Sequence, residues 1–88
     1  MLPDASMSLR RRQLLRRGKI IFNNRMSVFD CAIAKRTSEG AELMMESTLG
    51  VPQTFELRLE PTGERYVCEL AWRKEKMIGV VFEHRAPR

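Results

Sequence analysis

Five arginines crowd the first part of the chain, Arg10, Arg11, Arg12, Arg16 and Arg17, and Arg12 and Arg16 stand four residues apart. A guanidinium meets phosphate oxygens with a planar fork and lays its face on purine rings. It also donates to O6 and N7 of guanine. A second group follows in Lys35-Arg36-Thr37-Ser38-Glu39-Gly40-Ala41. A hydroxyl residue followed by Gly40 at the start of the next run makes a tight turn whose backbone can approach a ligand closely. On local evidence alone an ordinary strand-to-strand turn is the favoured reading of these residues. Other chemistry is poorly supplied. The lone histidine, His84, sits near the end beside Arg85, and Glu56, Glu60, Glu64 and Glu69 have no base, nucleophile or metal cluster beside them. No enzyme and no metal site is expected.

The charge is as uneven as the arginines suggest. The 88 residues hold 16 Lys and Arg against 11 Asp and Glu, a formal net charge of +5. Between Ala5 and Phe29 there is no acidic residue, while seven basic ones fall there; residues 30–88 carry nine basic and ten acidic groups. The positive excess belongs to the first third of the chain, which points to an anionic partner met by that leader. A nucleotide, a nucleic acid and a lipid surface all satisfy net charge alone, and so does a solvated leader with no ligand.

Composition bounds the rest. This length fits one small domain, and 43% hydrophobic residues with a mean hydropathy of −0.35 fit a folded core rather than disorder. No apolar run approaches the roughly 18 residues that a membrane span needs, and no signal peptide is expected. Cys31 and Cys68 each alternate with apolar neighbours and read as buried reduced thiols, which suits a cytoplasmic setting.

The elements that must position these groups show period two. Ile20, Ile21 and Phe22 lead to the turn-prone Asn23-Asn24-Arg25. Phe29, Cys31 and Ile33 alternate with polar or small residues, as do Ala41, Leu43 and Met45. Phe55, Leu57 and Leu59 alternate with Glu56, Arg58 and Glu60, the clearest half-buried strand. Pro61-Thr62-Gly63 turns into Tyr66, Cys68, Leu70 and Trp72, and Lys74-Glu75-Lys76 connects to Ile78, Val80 and Phe82. Six short strands with turns between them predict an all-β, antiparallel small barrel or sandwich, of which the closed barrel leaves no exposed edge. Residues 1–9 read as a flexible tail, with Met7 a second candidate start, 10–17 as a basic arm, 18–84 as the barrel and 85–88 as a tail. Leu9, Leu14 and Leu15 give the arm only a weak helical stripe, and its arginines repel one another at helical spacing, so an irregular arm is expected unless an anion is bound. The aromatic residues Phe29, Phe55, Tyr66, Trp72 and Phe82 fall mostly on apolar faces and read as core. That leaves few stacking platforms for nucleic acid, which is not the expected partner.

Taken in order, the Arg12-x-x-x-Arg16 arm, Gly18-Lys19-Ile20-Ile21-Phe22, Cys31-x-Ile33 and Gly40-Ala41-x-Leu43 are followed by Gly50-Val51-Pro52, Phe55-x-Leu57, Cys68-x-x-x-Trp72-Arg73 and Ile78-Gly79-Val80-Val81-Phe82. The series resembles PilZ domains, above all the short stand-alone alphaproteobacterial type, from about Arg10 to Glu83. The resemblance implies a six-stranded split barrel that receives the bacterial second messenger cyclic di-GMP, with the arginine arm folding over the ligand. Carried over residue by residue, it makes Arg12 and Arg16 the RxxxR pair, with Arg11, Arg17 and Arg36 as further cations. The family's second motif is Asp or Asn, any residue, Ser, two residues and Gly. Gly40 matches its glycine, Thr37 keeps the hydroxyl, and Lys35 replaces the acidic or amide residue. An ammonium has only donors, whereas a carboxylate or amide oxygen accepts from the guanine N1–H and N2–H edge. Losing one such bond costs roughly 1–3 kcal/mol, which is about tenfold to over a hundredfold in affinity. Two expectations therefore stand: a cyclic di-GMP receptor that relays the messenger to a protein effector, and a degenerate PilZ-like module that binds a protein and no nucleotide.

Overall fold

The computed structural model describes residues 16–86. Six antiparallel strands run β1 (Arg16–Phe22), β2 (Ser27–Arg36), β3 (Gly40–Met44), β4 (Thr54–Leu59), β5 (Arg65–Arg73) and β6 (Met77–Arg85). They close into a barrel in the order β1-β2-β3-β6-β5-β4. Two three-stranded meanders are thus joined at both margins, by β3 on β6 and by β4 on β1. Alternation is the cause. Ile20, Leu43, Leu57, Leu59, Cys68 and Ile78 point inward and are almost wholly buried, with Ile33, Phe55 and Val80 around them.

The turns follow from local chemistry. Asn23, Asn24 and Arg25 all take positive φ, at 59°, 55° and 70°, and the Met26 N–H donates to the Asn23 carbonyl at 3.0 Å. Positive φ at the central positions is what a hairpin turn needs to match strand twist, and Asn tolerates it best after Gly. At the same end of the barrel, residues 45–53 cross from β3 to β4. Arg73 fastens them, donating to the Thr48 carbonyl at 2.5 Å and the Val51 carbonyl at 2.7 Å.

The opposite end receives the start of β1, the β2–β3 turn, the β4–β5 turn and the end of β6. Here the barrel is slightly longer than the sequence boundaries. Arg16 and Arg17 are strand residues, paired with Ile33 and Ala32, and the Glu60 N–H donates to the Arg17 carbonyl at 3.0 Å. Those ladder bonds outweigh the repulsion that suggested an irregular segment up to residue 17. At the other terminus β6 includes Arg85, and the buried Ala86 donates its N–H to the Arg65 carbonyl at 2.8 Å, so these two residues are barrel and not tail. The expected tail 1–9 and most of the arm lie outside the described residues.

Candidate functional site

Two interruptions of strand register shape one outer face of the barrel. In β2, Ile33 pairs with Leu43, but the next pair is Lys35 with Glu42, leaving Ala34 as an extra residue. In β5, Leu70 pairs with Val80 and Trp72 with Gly79, leaving Ala71 extra. A bulge of this kind moves the residues beyond it to the other face of the sheet. Lys35, which strict alternation from Cys31 and Ile33 would send inward, stands outside. Trp72 does the same. It was expected in the core, and it lies 37% exposed on the outer surface.

Two glycines let their neighbours lie close against this face. A Cβ at Gly40 would overlap the Val80 carbonyl oxygen, and one at Gly79 would overlap the Trp72 indole Nε1. The β6 backbone and the indole fill those two spaces, and a groove of about 280 Å³ runs beside them across β2, β3, β6 and β5. Lys35, Thr37 and Glu39 line one side, Trp72 and Val81 the other, with Glu42 among the lining residues. Ligand sites for drug-sized molecules run roughly 300–1,000 Å³, so the groove suits a single ring system better than a whole dinucleotide.

Three of the residues expected from the second motif, Lys35, Thr37 and Gly40, therefore share this groove. Their roles differ. The Thr37 hydroxyl accepts from the Glu39 and Gly40 N–H groups, both at 3.2 Å, and the Thr37 N–H donates to the Gly40 carbonyl at 2.9 Å. It is a turn-making hydroxyl. Gly40 is demanded by the close approach of β6. Lys35 makes no side-chain hydrogen bond or ion pair with the described residues and points to the groove.

The cations are divided. Arg11 and Arg12 lie outside the described residues. Arg16 and Arg17 are exposed at the start of β1, and Arg16 pairs with Ile33, close along β2 to Lys35. Arg36 is held elsewhere. It pairs with Ala41 beyond the bulge and reaches the end of the barrel, where it donates to the Tyr66 hydroxyl at 2.9 Å and Glu64 Oε1 at 3.3 Å. Tyr66 in turn donates to Glu64 at 2.9 Å and stacks on Phe82 with ring centroids 4.4 Å apart. The Tyr66 hydroxyl, followed by the charges of Arg36 and Arg85, holds the Glu64 carboxyl below its ordinary range. Burial pushes the Cys31 and Cys68 thiols up to about 12, so neither is a nucleophile at neutral pH.

Two groove residues, Glu42 and Trp72, are not among the site residues that the sequence offers. Glu42 was open to discovery, because Ala41 and Leu43 point inward and leave it outward. Trp72 carried no such signal, because its orientation depends on the bulge at Ala71. Among the described residues no three of His, Cys, Asp and Glu gather where a metal ion would sit, and no helix is long and apolar enough to cross a membrane. No protein-family model, characterised protein or solved structure matches the chain.

Proposed function

We propose that this chain is a receptor domain for cyclic di-GMP that passes the messenger's level to a protein effector, in a reducing cytoplasm. The observation that carries the reading is the meeting of Lys35, Thr37 and Gly40 in one groove beside the strand on which Arg16 enters the barrel. The arginines on and before β1 supply charge for two phosphates, and the groove has room for one base. Both terms favour a purine messenger over a bulk polyanion, because four of the five aromatic residues expected in the core are packed in or against it, and the fifth, Trp72, lies against Gly79 with the Lys74 ammonium 5.4 Å from its ring centre. Calorimetric titration of the full chain with cyclic di-GMP tests the proposal. We expect saturable binding, weakened at least about tenfold by Arg12→Ala and by Arg16→Ala, in line with loss of a charge-assisted contact. No heat at high micromolar ligand, with both variants indistinguishable from wild type, removes it.

A second reading has its own support. The Thr37 hydroxyl is occupied by its own turn and Gly40 answers to Val80, so both exist for reasons other than a ligand. With Lys35 in place of an acceptor, the same barrel serves as a protein-binding module without nucleotide. Capture of a partner that ignores both added messenger and Lys35→Asp favours this alternative.

A further inference from the structure

We propose that Glu42 is the residue that reads guanine in this groove, taking the place of the acceptor that Lys35 cannot be. The inference rests on the receptor reading above and adds to it the group that sets base selectivity. The bulge at Ala34 does more than turn Lys35 outward. It brings Lys35 directly opposite Glu42, as Cα partners across β2 and β3, where side chains on one face stand roughly 5 Å apart at Cβ. Both line the groove. Glu42 is half-buried, and its carboxylate, like the Lys35 ammonium, makes no hydrogen bond or ion pair with the described residues. Glu39 also lines the groove, but from the exposed β2–β3 turn, whereas Glu42 is fixed by the β3 ladder on both sides.

The pair is complementary to one base edge. Guanine presents N2–H, N1–H and O6 in a row, two donors and then an acceptor. A carboxylate accepts from the two donors in a bidentate, charge-assisted contact, and an ammonium beside it donates to O6. Adenine presents an N6 amino group next to the N1 lone pair, so the same carboxylate meets one donor and one repelling acceptor. Glu42 and Lys35 together therefore select guanine. The order is the reverse of a site with an acceptor on β2: here β3 accepts and β2 donates.

The test compares cyclic di-GMP with cyclic di-AMP by calorimetry on the full chain, for wild type, Glu42→Ala, Glu42→Gln and Lys35→Asp combined with Glu42→Ala. Wild type should prefer the guanine ligand. Glu42→Ala should cut that preference at least about tenfold, the worth of one lost hydrogen bond to the base edge, while adenine-ligand affinity holds or rises as a negative charge leaves. Glu42→Gln keeps one acceptor oxygen and should fall between. The double variant should recover guanine preference from the β2 side. Thermal melts confirm that each variant is folded, which a half-exposed strand position favours. If wild type binds the guanine ligand and Glu42→Ala keeps the full preference, the role of Glu42 is overturned and the receptor reading stands. If wild type binds neither ligand, both fall.

Discussion

Arg36 carries a charge that sequence alone offers to an anion, and the fold gives it instead to Glu64 and Tyr66. The reason lies one residue away. With Ala34 bulged out, Lys35 faces the groove and Arg36 takes the position paired with buried Ala41, at the end of the barrel. There its guanidinium also stands over the Tyr66 ring, 5.6 Å from its centre. The consequence is readable through Glu64. Hydrogen bonding from Tyr66, with Arg36 and Arg85 nearby, lowers its pKa on folding, so the carboxylate stabilises the fold above the unfolded carboxyl range of about 4. That contribution disappears as the pH falls through the folded value. Melting wild type and Glu64→Gln side by side should show a lower Tm for the variant at pH 7 and a gap that closes in acid. An equal gap at every pH means that the Glu64 charge contributes nothing.

Strand ends and connections follow the same logic at larger size. Residues 45–53 lie outside the strands, yet Thr48 and Val51 are buried, because Arg73 anchors both of their carbonyls and the Thr48 hydroxyl donates to the Lys74 carbonyl at 2.6 Å. A guanidinium spans two carbonyls with its fork, and an ammonium does not hold that geometry. Arg73→Lys and Arg73→Ala should therefore both destabilise, by about 1.5–3 kcal/mol on the scale of hydrogen bonds to charged groups. Both should raise amide exchange at Thr48 and Val51 before the β1–β2 ladder loosens. Unchanged exchange in the lysine variant means that charge alone holds the connection. The strands themselves were legible, because Phe55, Leu57 and Leu59 or Cys31 and Ile33 must alternate wherever one face is buried. The turns were legible through Asn23-Asn24-Arg25 and Pro61-Thr62-Gly63. The bulges were not. One extra alanine in β2 and another in β5 leave no mark on composition, and each reverses the side chain that follows, so only the resemblance points to Lys35 and strict alternation sends Trp72 to the core. The start of β1 was hidden for a different reason: its charge suggested repulsion, while its ladder bonds are made by the backbone and are indifferent to side-chain type.

At the scale of the molecule, neither meander can stand alone. β1 finds its second neighbour in β4, and β3 finds its own in β6, so each half covers both open edges of the other. Edges that pair in this way leave no strand free to seed aggregation, and they also tie the core into one unit. Leu57 sits at the middle of that unit, on β4, fully buried and flanked by both β1 and β5. A chain of this length has a stability of about 4–13 kcal/mol at the usual value per residue. Leu57→Ala should remove about 2–5 kcal/mol of it through lost burial and the cavity left behind, a fall in Tm of about 8–40 °C. In urea the midpoint should fall with no change in slope, because the slope follows the surface exposed by unfolding the whole barrel. Trp72 reports on β5 and β6, and far-ultraviolet dichroism on all six strands, so coincidence of the two transitions decides the matter. If the fluorescence of Trp72 moves at a lower urea concentration than the dichroism, the groove side opens separately and the two halves are not one cooperative structure.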